Sequence, residues 1–205
     1  MARKSAFLDN IYSVEGGDAM QRYYDDWAAS YDADLAANDY RTPGRCAAML
    51  ARHVGDRATP ILDFACGTGI SGAALNAAGF TVIDGTDISA GMLEKARAKG
   101  VYRDLWECDS EDPLAGVRGY GALAAVGAIG AGAAPVETLD AAIDAVTPGG
   151  VFVVSLNDHT LEDPDYLARL ERAADEGRIE MLEAEDGPHL PAIGLNARVV
   201  AVRRR

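Results

Sequence analysis

The chain has 205 residues, 49% of them hydrophobic and 25% charged, enough for one domain with a well-buried core. Its 32 acidic and 19 basic residues give a formal net charge of −13, which argues against the basic footprint of a nucleic-acid binder. No apolar run reaches the ~18 residues of a membrane helix, and the first residues lack the apolar stretch and cleavage site of a signal peptide. Cys46, Cys66 and Cys108 form no C-x-x-C pair, so neither a disulfide framework nor a zinc site is indicated. The expectation is a cytoplasmic protein without nucleic-acid, membrane or metal partners.

Residues 7–58 read as helical. The stretch DAMQRYYDDWAASYDADLAAN mixes helix formers with Tyr and Trp and contains no Pro. Tyr23, Trp27 and Tyr31, four apart, share one helical face, which by itself is a core-facing stripe. After a turn at Pro43, GRCAAMLARHV is another helix. From residue 60 strands alternate with helices. TPILDFA is a strand, SGAALNAAGF a helix, TVIDGTD a second strand, and SAGMLEKARAKG a helix capped by Ser89 and ended by Gly100. VYRDLWECD and GALAAVGAI are the third and fourth strands. The helix PVETLDAAIDAV stops at Pro148-Gly149-Gly150, before VFVVSLN. RIEMLEAEDG and ARVVAVRRR, joined by a turn at PHLPAIG, complete seven strands. The pattern predicts an α/β fold: a doubly wound, Rossmann-like, mostly parallel seven-stranded sheet.

In such a sheet a ligand sits outside the carboxyl ends of the strands, so the loop DFACGTGISG after the first strand is a candidate site. Gly67, Gly69 and Gly72 spell G-x-G-x-x-G, the dinucleotide fingerprint. Three features argue against that register. Asp63 would be buried four residues before the first glycine, which is costly without a partner. A long helical stretch precedes the loop. Lysine occurs only at Lys4, Lys95 and Lys99, none of them four residues after a tyrosine, so the Tyr-x-x-x-Lys pair of short-chain dehydrogenases is excluded. An NAD(P)-dependent oxidoreductase is therefore the weakest of three alternatives.

Shifted in register, LDFACGTG resembles motif I of class I S-adenosylmethionine-dependent methyltransferases, D/E-x-G-x-G-x-G. Asp63, Gly67 and Gly69 match, and Ala65 replaces the first glycine. The resemblance implies that Asp63 meets the cofactor's ammonium, directly or through water, and that amides of the Ala65–Gly69 loop contact its aminoacyl part. GTDISAGMLEKARAKG is similar to the family's G-x-D-x-S-x-x-M-L segment. Asp87, 18 residues after Gly69, would accept both ribose hydroxyls, and Ile88 and Met92 would pack near the adenine. CDSEDPL resembles the D-x-x-x-L/P segment in which Asp109, beside Ser110, receives the adenine amino group. VGAIGAG, from Val126, would line the cofactor and the substrate floor. As plain structure, Asp87 and Asp109 are turn residues and Met92 is core.

Residues 20–157 also resemble the Williams–Beuren-region methyltransferase-like group. There the Y-D-x-W-A-x-x-Y-D stretch belongs to an N-terminal cap over the cofactor. That implies a helical cap at 1–58 on a cofactor-binding unit at 59–205, with Tyr24, Trp27 and Tyr31 lining the cofactor. Gly121 and Ala133 depart from the group's pattern, standing where Asp and His are expected. The expected activity is methyl transfer from S-adenosyl-L-methionine to a small-molecule acceptor. If a base is needed, His159 and Asp158 after the fifth strand are the candidates, ahead of His189 and His53. The departures at Ala65, Gly121 and Ala133 keep a second reading open, a catalytically silent protein that binds S-adenosylmethionine or S-adenosylhomocysteine.

Overall fold

A computed structural model of the chain describes residues 7, 10, 11, 14 and 16–205. Its strands are β1 (Ile61–Phe64), β2 (Ile83–Asp87), β3 (Asp104–Glu107), β4 (Tyr120–Ala125), β5 (Val146–Asn157), β6 (Ile179–Leu190) and β7 (Leu195–Arg204). They form one sheet in the order β3-β2-β1-β4-β5-β7-β6. The first five run parallel, and β7 lies antiparallel between β5 and β6. The sheet is therefore mixed, a parallel doubly wound core closed on one side by a hairpin.

Both faces of the central strands are covered, which is why those strands read as continuous apolar runs. On one face Leu62, Phe64, Leu123, Phe152, Val154 and Val200 pack with Leu139 and Ile143 of α6 (Thr138–Ala145) and with Tyr166 and Leu170 of α8 (Asp165–Asp175). On the other, Ile61, Ile83, Ala122, Val153 and Val199 meet Cys46, Met49 and Leu50 of α3 (Thr42–His53) and Leu75 of α4 (Ile70–Ala77). Helix α3, which the sequence reading grouped with the cap, thus packs as part of the sheet's own core. Among the described residues, α1 (Gly17–Trp27) and α2 (Tyr31–Ala37) lie over the loops at the carboxyl ends of β1 and β2.

Local chemistry accounts for the boundaries nearest those loops. Helix α5 (Ala90–Lys99) starts where Ser89 Oγ accepts the Met92 N–H at 3.0 Å, and it ends at Gly100 in a left-handed conformation. The glycine at 121 has a steric cause, because a Cβ there would lie 2.5 Å from Thr59 Cγ2. A short helix, α7 (Asp158–Leu161), follows β5 directly and is capped by Asn157. Among the described residues no helix is long and apolar enough to cross a membrane.

Candidate active site

The loops after β1, β2, β3 and β4 and the two cap helices enclose a cavity of about 420 Å³, within the range of small-molecule sites. Phe64, Ala65 and Gly67 form its floor, and Asp87, Ile88 and Met92 one wall. Cys108 and Ser110 continue that wall, Val126 and Gly127 stand opposite, and Tyr24 and Tyr31 close the top. Most of the residues expected at the cofactor are thereby brought together, across more than a hundred positions of sequence.

Asp87 organises the floor. Its Oδ2 accepts the Gly67 N–H at 2.8 Å and its Oδ1 accepts the Ser89 N–H at 2.9 Å, so one carboxylate ties the glycine loop to the start of α5. Burial pushes its carboxyl up to about 6, against the pull of these N–H donors. Each oxygen retains a lone pair for a further donor from the cavity. Ala65 takes φ +50°, the left-handed conformation that a glycine adopts freely. An alanine held there costs about 1 kcal/mol. Ala65→Gly is therefore expected to raise the melting temperature by roughly 2–4 °C in thermal denaturation; an unchanged or lower value would refute this account of the loop.

Asp63 does not reach the cavity. It lies behind the glycine loop, where its Oδ2 accepts the Ser71 and Tyr102 hydroxyls, each at 2.7 Å. The expected contact with the cofactor's ammonium is replaced by this internal one. The same contact removes an argument used against the dinucleotide register, since Asp63 is not unpartnered. What separates the registers is Gly72, the last glycine of the fingerprint. A Cβ on Gly72 would lie 2.2 Å from Tyr102 Oη, and one on Gly85 would lie 2.9 Å from Tyr102 Cε1. Both glycines make room for the tyrosine that binds Asp63.

The other candidates divide in the same way. Gly69 is the N-cap of α4, beside the cavity rather than in its wall. Asp109 is exposed and its Oδ1 accepts the Glu111 N–H at 2.7 Å, the turn-capping role. Trp27 is 3% exposed and sits behind Tyr24 and Tyr31, its Nε1 donating to Asp34 at 2.9 Å. Neither base candidate faces the cavity. The His159 side chain is 45% exposed beside Glu162, and Asp158 accepts the Asn196 N–H at 2.8 Å. His53 pairs with Glu183 of β6.

Two carboxylates missed in the sequence fasten the cap. Asp25 of α1 accepts the Ser89 hydroxyl at 2.5 Å and the Gly91 N–H at 3.1 Å. Asp32 of α2 accepts the Thr68 hydroxyl and pairs with Lys99 at 2.5 Å. The cap is thus bonded to the same two loops that Asp87 joins. Among the described residues no group of three or more His, Cys, Asp or Glu could hold a metal ion.

A doubly wound sheet with a glycine loop after β1 and an acid closing β2 is the frame of a class I S-adenosylmethionine-dependent methyltransferase. Comparison with known proteins gives the same class: the family model described as a methyltransferase domain matches residues 61–150. The chain is 36% identical over 169 residues to methyltransferase-like protein 27 of Homo sapiens, an overlap of 79% of this chain and 69% of that protein, and it belongs to that methyltransferase family. Among solved structures, a SAM-dependent methyltransferase from Thiobacillus denitrificans in complex with S-adenosyl-L-homocysteine superposes with a TM-score of 0.57 at 14% identity, covering 78% of this chain and 91% of that one. The [4+2]-cyclase SpnF gives 0.58 at 16% identity, over 78% and 80% of the two chains. The last two likenesses are of fold alone.

The cavity fits S-adenosylmethionine. Asp87 offers two acceptors to vicinal hydroxyls, and Ile88 and Met92 offer apolar surface to a flat heterocycle. The left-handed backbone at Ala65 and Gly67 lets a slender chain lie close to the loop, and a Cβ on Gly67 would meet nothing within 4 Å.

Proposed function

We propose that this methyltransferase acts on a small-molecule acceptor, with the cofactor lying across the sheet from β2 to β4. The observation that carries this reading is Asp87, whose buried carboxylate faces the cavity while it fixes the glycine loop. In this arrangement Asp87 receives the ribose hydroxyls, Ile88 and Met92 pack on the adenine, and Ser110 stands at its edge. Asp109 acts there only through the turn that presents Ser110. The loop from Ala65 to Gly69 receives the aminoacyl part, with Asp63 holding the loop from behind. Tyr24 and Tyr31 cover the site and Trp27 backs them. When bound, the cofactor supplies a methyl group on a sulfonium, so the chain's own task is to align the acceptor and exclude water.

A small acceptor follows from the enclosure by α1 and α2 and from the net charge of −13, which disfavours a nucleic-acid substrate. The catalytically silent alternative rested partly on Ala65 and Gly121. Ala65 adopts the backbone conformation of the glycine it replaces, and Gly121 has a steric cause, so neither supports loss of activity.

Calorimetric titration with S-adenosylmethionine, S-adenosylhomocysteine and NADH tests the reading. Micromolar binding of the first two, with no heat from NADH, is the expected result. Binding of NADH alone would overturn it.

A further inference from the structure

The lining of the cavity is one-sided in charge. Among the described residues it contains no lysine, arginine or histidine, while the carboxylates of Asp87 and Glu111 stand on the side of β2 and β3. The side toward β4 carries no charge. There Met20 of α1 and Ala128, Ala133, Ala134 and Pro135 of the loop after β4 present apolar surface. Tyr24 of α1 adds a phenol, whose hydroxyl donates to the Gly132 carbonyl at 3.5 Å. We propose that the methyl acceptor is a small amine, bound as its uncharged free base on the β4 side of the cavity, and that the product is the N-methylated amine. The assignment rests on the cofactor lying from β2 to β4 as set out above, with its methyl group directed to the β4 side.

The other acceptor chemistries each lack a partner there. A carboxylate, phosphate or thiolate would be desolvated with no cationic side chain of the described lining to meet it, which is costly. The net charge of −13 adds to that penalty. A hydroxyl must give up its proton as the O–C bond forms, which calls for a base within hydrogen-bond reach. No imidazole or carboxylate stands on the β4 side among the described residues, and Ala133 occupies the position where the group's pattern has a histidine. An uncharged amine needs neither a counter-ion nor a base, because its lone pair is available before the methyl group moves.

In the transfer the nitrogen lone pair forms the N–C bond, and the C–S electron pair returns to sulfur. The positive charge passes from sulfur to nitrogen, and a primary or secondary amine then releases a proton to water. The cavity therefore holds one positive charge before and after the step. Its lining suits that charge throughout: the Asp87 carboxylate attracts it, and Tyr24 and Tyr31 contribute aromatic rings. An amine that arrives protonated meets the repulsion of the sulfonium instead, so the free base is the form that binds.

Choline, 3,3-dimethylbutanol and 3,3-dimethylbutanoate share one branched shape and differ in charge, the first resembling a methylated product. Ligand-observed NMR at pH 8 on the full chain saturated with S-adenosylhomocysteine is expected to rank them in that order, with millimolar affinity for choline. With S-adenosylmethionine in place of S-adenosylhomocysteine, choline is expected to bind at least about tenfold more weakly, because a second positive charge then lies beside it, while the alcohol is unaffected. Ala133→Lys is expected to reverse the ranking, which places the probes on the β4 side rather than on the acidic surface. The comparison of the two cofactors uses the wild-type chain and decides alone if the variant fails to fold. Butanoate binding as tightly as choline, equal choline affinity with both cofactors, a ranking untouched in a folded Ala133→Lys chain, or no binding of any probe at tens of millimolar would overturn the proposal. A chain that S-adenosylhomocysteine fails to saturate would overturn the cofactor reading itself, and this assignment with it.

Discussion

Asp87→Asn is expected to weaken S-adenosylhomocysteine binding roughly 10- to 100-fold while leaving a folded protein. Both carboxylate oxygens already accept a backbone N–H, from Gly67 and from Ser89, and each has a second lone pair for a ribose hydroxyl. An asparagine has one oxygen. Its NH₂ group must then face either an N–H of its own chain or a ligand hydroxyl that has lost its acceptor. A hydrogen bond to a charged group is worth about 1.5–3 kcal/mol, so losing the ligand bond on the amide side corresponds to roughly a 10- to 100-fold change. The fold loses one backbone bond, a cost of about 1–3 kcal/mol, small enough for the domain to survive.

The same carboxyl sets a pH dependence. Its pKa in the ligand-free protein is about 6, and hydroxyl donors bind the ionised form. Affinity is therefore complete above pH 6 and falls below it, by up to about tenfold per pH unit. Calorimetry from pH 8 to pH 5 on both proteins separates this group from the ligand's own titration, since the asparagine variant lacks the added slope. Wild-type affinity that stays flat down to pH 5, or an asparagine variant within threefold of wild type, would refute the role of Asp87.

How far the site was legible depended on where each partner lay in the chain. Asp87, Ser89 and Met92 fall within one turn of each other, and their chemistry follows from local rules: an acid closing a strand, a serine cap, an apolar first turn. The sheet was legible because strands buried on two faces become apolar runs. Helix α8 escaped the reading although Tyr166, Leu170 and Ala173 repeat at helical spacing, because its remaining positions are mostly charged. Asp25 and Asp32 were not legible at all. An acid on a helix reads as part of a solvated face, and their partners Ser89 and Thr68 lie 64 and 36 residues away.

Asp63 shows the limit from the other side. A resemblance assigned it to a ligand, but the fold turns it inward to Ser71 and Tyr102. The trace in the sequence was Gly72 and Gly85, positions where a side chain would strike the Tyr102 ring.

The ligand-free protein is expected to lose stability as the pH rises from about 4 to about 7, the reverse of the usual behaviour of a carboxylate. Asp63 is fully buried between the sheet and α4, and its Oδ1 has no hydrogen-bond partner. Burial raises its carboxyl from 3.8 to about 7, with Asp87 adding to the rise while the Tyr102 and Ser71 hydroxyls oppose it. Between these values the unfolded chain has released the proton and the folded chain still holds it. The folded state then binds more protons, and stability falls with pH until both states are ionised. A difference of about three pKa units corresponds to about 4 kcal/mol, or on the order of 10 °C in melting temperature for a chain of this size. Asp87, raised to about 6, contributes in the same direction. The carboxylates held low by arginines, Asp140, Glu183 and Asp186, act oppositely at and below the lower edge of this window, and His189, lowered by burial from 6.5 to about 4, acts oppositely within it but by less than Asp63 and Asp87 together. Asp63→Asn isolates the effect: its amide oxygen still accepts from Ser71 and Tyr102, and it has no proton to release. The variant is expected to show a shallower decline than wild type from pH 4 to pH 7 and to match or exceed wild-type stability above pH 7. Parallel pH curves for the two proteins would mean that Asp63 is already ionised in the fold, its charge carried by the two hydroxyls and the Gly72 N–H.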